Sequence, residues 1–566
     1  MDVYQRYIWK GEFSALAEYL YDRPILTMGG ISERARTVLD EYSKLNWHTP
    51  ERMEDTRKAL LDRNRRLGAL TPKVKESIEH LHEGAVESAH QSVVMGGPCY
   101  ILNKAATAVS VASMGTESGL PLTPFFFIAD YDTVQSELTN IRTPNVGQNG
   151  NLVSIPVEKE YEFSPVSVIP LPGYDWFNEM EDDVRGSYRP LLKSLDGHAR
   201  MIFEDRLEQA LALIRWAYYN SETLGEWGQR VVSRLLNIEG DLGIPLLAGS
   251  DMMVRELVVD GLELLLSRKN LNRFLAAHDE ATARIQQQGF KTSIGARNQN
   301  YVPFFYECPN SDCHLARIEL SYQEAGSKTL LAGKCPICGD DVVIEVDADR
   351  PDLSDISRSL SLRVDTRQVA VDTLIPIVAH VGGPGETAYY AQVIPAAKEL
   401  GIPFPAFIRY PRVYFNTPWN EQLAEVLREK GVSPLHGPEM FQTMGKISRS
   451  RKKKRYDEMN SMIEEFEGML TSSYYELNEI HKELEMRRVR GEGKSDDSLL
   501  STKLEVEKYL SWVYGQFAEG KLSQESAWSW IEWVLNSGFS DLFGPYFRAH
   551  TPQMKNGATY FVNFNI

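Results

Sequence analysis

Five cysteines occur in the 566-residue chain, and four of them form two close pairs, Cys308 with Cys313 and Cys335 with Cys338. Two such pairs can set four thiolates tetrahedrally around one Zn2+ at about 2.3 Å each, a closed shell with no position left for substrate. Gly339 after the second pair permits the tight turn of a metal knuckle. Strand-like stretches at 316–321 and 341–346 flank the pairs, which is the layout of a zinc ribbon. The spacing therefore predicts a structural Zn2+ site at Cys308, Cys313, Cys335 and Cys338, against the alternative of four unrelated buried thiols. Cys99 stands apart beside Gly96-Gly97-Pro98. No paired histidine is evident, so a small buried residue is favoured over a nucleophile there.

Two other stretches could do chemistry. Gly382-Gly383-Pro384-Gly385-Glu386-Thr387 follows an apolar run and could offer backbone N–H groups at a helix start to an anion, or be a plain tight turn. It is neither a Walker loop nor a dinucleotide fingerprint, because the Lys-Ser/Thr pair and the glycine spacing are absent. The run Arg449-Ser-Arg-Lys-Lys-Lys-Arg455 could grip RNA or polyphosphate, although a solvated helix start is the plainer reading. Trp512, Trp528, Trp530 and Trp533 read as core and interface packing rather than a base-stacking platform.

The elements that must position these residues have a repeating order. Residues from about 33 to 90 read as helical, with Pro50 and Pro72 as breaks or first-turn positions. A strand is expected at Ser92–Met95, then a glycine turn, a helix from Tyr100 to about Ser113 and a buried strand over 121–130. Strand, glycine turn, helix and buried strand form a βαβ unit with a parallel sheet. Asp130 or Asp132, just past that strand, stands where open α/β sheets put ligands. A second passage has a strand at 243–248 and a helical region at 252–288; a third has a strand at 373–381, the glycine turn, a helix and a returning strand at 404–409. Tyr456, Met459, Ile463, Phe466, Leu470, Ser473, Leu477, Ile480 and Leu484 alternate at spacings of three and four, the seam of a coiled coil. Leu499–Phe517 can fold back on it as an antiparallel hairpin.

Composition bounds the rest. The chain is 43% hydrophobic and 25% charged, ordinary for a globular protein and too apolar for wholesale disorder. A net charge of −17 repels phosphate backbones, so nucleic acid is the disfavoured partner. An odd cysteine count, the absence of a basic lead into an apolar segment and apolar runs no longer than a strand all predict a cytoplasmic chain without a membrane anchor.

Three stretches resemble the BshC family of bacillithiol biosynthesis, cysteine-adding enzymes of low-molecular-weight thiol synthesis. They are Gly97-Pro98-x-Tyr100-x-x-x-Lys104 with Pro124–Ala129; Thr366-Arg367 ahead of Leu374-Ile375-Pro376; and Gly383-Pro384-Gly385-Glu386-x-x-Tyr389-Tyr390 leading to Pro411-Arg412. Gly243-Ile244-Pro245-Leu246-Leu247 and the coiled-coil arm add to the likeness. The resemblance implies a Rossmann-like core, dimerisation through the coiled coil, and a ligase joining cysteine to the amine of glucosaminyl malate, with ATP activating the carboxylate. It implies substrate or nucleotide binding by Gly96, Gly97, Tyr100, Lys104, Gly382, Gly383, Gly385, Tyr389 and Arg412. Arg367 would neutralise developing charge, while Glu386 or Asp132 would hold an ammonium or act as base. The chain departs from the family at Ser88–Val93, where a glycine-rich turn is expected, and at Tyr131-Asp132-Thr133-Val134, which lacks the family's histidine.

The expected architecture is therefore an α/β, Rossmann-like parallel-sheet core, with its first part and a helical insertion at 1–300 and its second part at 349–440. A zinc ribbon is inserted at 301–348, a coiled-coil arm spans 441–520, and an aromatic-rich segment at 521–566 packs on the core. The rival expectation is a non-enzymatic nucleotide- or RNA-binding assembly protein using the ribbon and the run at 449–455.

Overall fold

Phe125, Phe126, Phe127 and Ile128 are all buried, as a strand covered on both faces by helices requires. In the computed structural model, which describes residues 3–143, 151–193, 195–416, 524–564 and a few isolated positions between 446 and 490, this strand belongs to a five-stranded sheet. Its members are β1 (Ala85–Gln91), β2 (Thr123–Ala129), β3 (Leu246–Ala248), β4 (Ile377–Gly382) and β5 (Ala406–Arg409). All pairings are parallel, in the order β3-β2-β1-β4-β5. The chain builds outward from β1 to β3, then returns to the other side of β1 for β4 and β5. Such a reversal opens a crevice between the carboxyl ends of β1 and β4.

Six helices matter for that crevice: α1 (Pro50–Arg66), α2 (Tyr100–Glu117), α3 (Leu224–Arg234), α4 (Met252–Leu266), α5 (Arg367–Asp372) and α6 (Pro384–Glu399). α1 starts with Pro50 in its first turn, and the Thr49 side chain accepts from the Arg52 N–H. Ala105, Ala106, Ala108 and Ala112 give α2 a small-residue surface that lies closely over β1 and β2.

Several expected boundaries shift. The first strand is Ala85–Gln91, not Ser92–Met95; the latter stretch leads into a short 3-10 turn at Val94–Gly96. The helical region at 252–288 divides at Ser267, whose φ of −53° and ψ of 133° break the helix before a second one, Arg268–Gln287. The cysteine module consists of two antiparallel sheets. Phe304–Glu307 pairs with Arg317–Ile318 and with Leu360–Leu362, the last lying beyond the expected module end at 348. Lys328–Lys334 pairs with Ser321–Ala325 and Asp341–Asp347.

The tryptophans at the C-terminal end are packing residues: Trp530 Nε1 donates to the Met95 carbonyl at 2.7 Å and Trp533 Nε1 to that of Leu542 at 2.8 Å. Apart from isolated positions, the heptad segment, the basic run at 449–455 and Trp512 lie outside the described residues. Among the described residues, no helix is long and apolar enough to cross a membrane.

Candidate active site

The parallel register of β1 and β4 puts Glu87 directly beside His380. Both side chains are completely buried, where ionisable groups persist only when paired. Glu87 Oε2 faces His380 Nδ1 at 2.7 Å, and Oε1 accepts from Arg367 Nη1 at 2.7 Å. Burial opposes the Glu87 charge, but Arg367 and His380 outweigh it and bring the carboxyl down to about 2. Arg367, the first residue of α5, also donates to the Tyr390 hydroxyl at 2.6 Å and to Gln368 at 3.1 Å.

The ionic chain then leads outward. His380 Nε2 lies 3.4 Å from Glu386 Oε1, and Glu386 Oε2 accepts from Lys104 Nζ at 2.7 Å. Lys104, on α2, also donates to the Ala89 carbonyl near the end of β1 at 2.8 Å. Burial again opposes the charge on Glu386; Lys104 and His380 overcome it and hold the carboxyl far below the ordinary carboxylate range. Glu386 is therefore ionised across the neutral range and, held this low, a weak proton acceptor.

The glycine turn before α6 is also less open than expected. The Gly383 N–H donates to Glu386 Oε2 at 2.6 Å, and Pro384 has no N–H. The first donor of the turn is thus taken by the protein's own carboxylate. Gly385 remains open, with no heavy atom within 4 Å of where a side chain would begin.

Tyr100, Lys104, Asp132, Arg367, Gly383, Gly385, Glu386, Tyr389 and Arg412 all line one cleft of about 1020 Å³. Gly96, Gly97 and Gly382, expected to bind ligand, are not among its lining residues. At Gly96 the reason for glycine is local: φ is +85°, and a side chain would press into Val231. Gly382 is buried at the end of β4 against the Phe407 ring.

At the rim, His90 Nδ1 lies 2.9 Å from the Gln91 carbonyl and Nε2 lies 2.6 Å from the Tyr100 hydroxyl. Burial, with Lys104 nearby, lowers the His90 pKa to about 4, so the ring is neutral near pH 7. A carbonyl can only accept, so Nδ1 carries the proton and Tyr100 donates to Nε2. Asp132 is held from two directions. Gln91 Nε2 donates to Oδ2 at 2.8 Å, and Arg317 Nη1 lies 3.4 Å from Oδ1. Asp130, the other strand-end candidate, is sealed away by the Ser250 N–H at 2.8 Å and Gln229 Nε2 at 2.8 Å, with Arg63 at 3.6 Å.

Reading the sequence alone overlooked Glu87, His380, His90 and Arg317 as site residues. A histidine within the apolar run at 373–381 was the available signal, since a buried imidazole in a central strand needs a partner.

The Cys308, Cys313, Cys335 and Cys338 sulfurs lie within 4.8 Å of one another, with Cys313–Cys335 at 3.7 Å and Cys308–Cys338 at 4.0 Å. A tetrahedron of thiolates about 2.3 Å from a central metal has edges of about 3.8 Å, so the donor set fits a metal ion as it stands.

Comparisons with known proteins follow the same core. Residues 32–413 match the family model described as "Bacillithiol biosynthesis BshC, N-terminal Rossmann-like domain". Three relatives, each named "Putative cysteine ligase BshC", come from Oceanobacillus iheyensis, Koribacter versatilis and a Geobacillus species. The first is 23% identical over 58% of this chain and 55% of its own length. The second is 23% identical over 62% and 59%, and the third 22% identical over 72% and 68%. The chain thus spans rather more than half the length of the first two. With a parallel sheet of Rossmann order and a family match reaching from Ile31's neighbour Ser32 to Val413, the chain belongs to the BshC family of bacillithiol biosynthesis.

Proposed function

We propose that this protein is a cysteine ligase that joins the carboxyl group of cysteine to the amine of an amino-sugar acceptor such as glucosaminyl malate. The observation that carries this reading is the Arg367–Glu87–His380–Glu386–Lys104 chain, which reaches from the buried strand centre to the wall of the cleft. Amide formation from a free carboxylate is uphill in water, and ATP is the activating co-substrate in this reading. A carboxylate oxygen attacks a phosphorus of ATP and expels ADP or pyrophosphate. The amine then attacks the acyl carbon, the C–O bond breaks with release of phosphate or AMP, and the nitrogen gives up one proton as the C–N bond forms.

Cations at the cleft serve that chemistry electrostatically. Lys104, Arg367 and Arg412 line the cavity and favour negative charge on the phosphate and the reacting carboxyl. Glu386 keeps Lys104 in place rather than taking a proton. Asp132 holds an ammonium group, and the Tyr100 hydroxyl, its own proton directed at His90, offers lone pairs to an amine N–H. The four cysteines hold a structural Zn2+ with no open position, and two copies pair through the heptad segment.

The test is cysteine- and acceptor-dependent consumption of ATP by the full chain, with amide product identified by mass spectrometry. Lys104→Met is expected to lower kcat/KM about a hundredfold, the scale of losing one oriented charge donor. Absence of product from the unaltered protein, or full activity in Lys104→Met, would refute the reading.

A further inference from the structure

The cysteine module touches the core at a point that bears on the cleft. Arg317 stands four residues after Cys313, and its strand position is fixed by the knuckle itself: the Ala316 N–H donates to the Cys313 carbonyl at 2.8 Å, and the Cys308 N–H to the Ala316 carbonyl at 3.0 Å. One residue before Cys308, Glu307 is buried against Arg255 of α4, which donates to both its oxygens at 2.5 and 2.7 Å. The knuckle is therefore anchored to the core on one strand and presents Arg317 on the other.

Arg317 makes two attachments to the segment that follows β2. Its backbone N–H donates to the Phe163 carbonyl at 2.9 Å, and that neighbouring stretch pairs with the rim of the cleft, because the Val166 N–H donates to the Asp132 carbonyl at 3.0 Å. Its guanidinium lies over the Phe305 ring at 4.0 Å, donates to the Leu362 carbonyl at 3.2 Å, and reaches Asp132 Oδ1. A planar cation stacked on a ring has few other places to go. Gln91 holds the opposite oxygen, so each oxygen of Asp132 has a partner from a different part of the fold.

We infer that Arg317 is a positioning residue through which the four-cysteine metal site sets the orientation of the Asp132 carboxylate in the cleft. The ligand it serves is a substrate ammonium group, an assignment that rests on the ligase reading above; the mechanical link between knuckle and cleft does not. Without the metal, the turn from Cys308 to Cys313 loses the ligation that fixes Arg317, and Asp132 keeps only the neutral Gln91 partner. An otherwise remote structural ion would then control substrate affinity.

The experiment combines Arg317→Ala with chelation of the metal from the full chain. Readouts are metal content, the kinetic constants for cysteine and acceptor, and hydrogen exchange of peptides spanning 129–136. Arg317→Ala should retain its metal and raise one substrate's KM about tenfold, the lower end for losing an outer-shell partner, while kcat falls less than about threefold. Exchange at 129–136 should quicken. Arg317→Lys, which keeps the charge, should recover part of the affinity. Chelating the unaltered protein should reproduce the Arg317→Ala changes, yet add less than about twofold in the variant, because both act through one contact. Equal losses on chelation with and without Arg317, or unchanged exchange in Arg317→Ala, would overturn the inference. If the chelated chain unfolds, the metal-loaded variant's exchange and KM decide alone. Exchange coupling without any cysteine-dependent turnover would sink the ligase reading and leave the link between knuckle and cleft standing.

Discussion

Two corners of one sheet edge treat their carboxylates in opposite ways. At the β2–β3 corner, Asp130 is saturated by a backbone N–H, a hydroxyl, an amide and a nearby guanidinium, and its side chain is 1% exposed. At the β1–β4 corner, Glu386 is held by Lys104, the Gly383 N–H and His380, and its side chain is 16% exposed. Both residues lie at or just beyond strand ends, so position along a strand does not separate them. Topology does. β2 and β3 are on the same side of β1, whereas the chain reverses direction between β1 and β4 and leaves a crevice.

The contrast breaks most visibly at Glu87. Glu87→Ala leaves Arg367 without its buried counter-ion and His380 without the carboxylate at its Nδ1, and should destabilise the fold by about 3–5 kcal/mol in urea titrations. Asp130→Asn keeps the shape and most of the hydrogen bonds, so about 1–3 kcal/mol is expected, with activity per folded molecule nearly intact. If Asp130→Asn instead abolished turnover while Glu87→Ala folded normally, the assignment of the open corner would be reversed.

Acid and alkali should probe different regions. The Glu87 carboxyl is depressed from its ordinary 4.5 to about 2, so the unfolded chain takes up this proton first. Its contribution is present above about pH 4.5 and is lost as pH falls toward 2. Glu532, near the C-terminus, goes the other way: burial raises it to about 8 despite the Tyr188 hydroxyl. The folded state then holds a proton that the unfolded state releases, so this stability is full below about 4.5 and is lost as pH rises through 8. Glu532→Gln should flatten the decline between pH 5 and 8 in thermal melts, while leaving the acid limb unchanged. An unaltered slope would place the pH dependence elsewhere.

How far the sequence revealed these regions follows from what each strand had to do. β2 and β4 are apolar runs ended by turn residues, and their pattern shows their burial directly. β1 reads Ala-Val-Glu-Ser-Ala-His-Gln, too polar for a central strand by composition, because three of its side chains serve the site. The expectation of a strand at Ser92–Met95 followed the apolar residues and so missed it. Family likeness pointed to Tyr100, Lys104, Glu386 and Arg412, which line the cleft, but it could not show that Glu386 caps its own helix turn. The cysteine cluster was legible from spacing alone, since knuckle geometry is local. Arg317 was not: its contact with Asp132 joins residues from separate modules, and nothing in either stretch encodes the other.

The smallest effect is expected at Tyr100. Its hydroxyl donates to His90 Nε2, while His90 Nδ1 is committed to the Gln91 carbonyl. Tyr100→Phe leaves a half-buried imidazole nitrogen without a donor, a loss of about 1 kcal/mol in stability. The ring stacked on Tyr410 at 6.2 Å remains, so the wall of the cleft should keep its shape. Affinity for the proposed amine-bearing substrate should fall only severalfold, because one hydrogen bond is removed and the charges of the open corner are untouched. Kinetics of Tyr100→Phe beside Lys104→Met therefore rank the two sides of the cleft. A larger loss at Tyr100 would mean that the neutral His90–Tyr100 pair contributes more to the proposed reaction than the cations of the open corner.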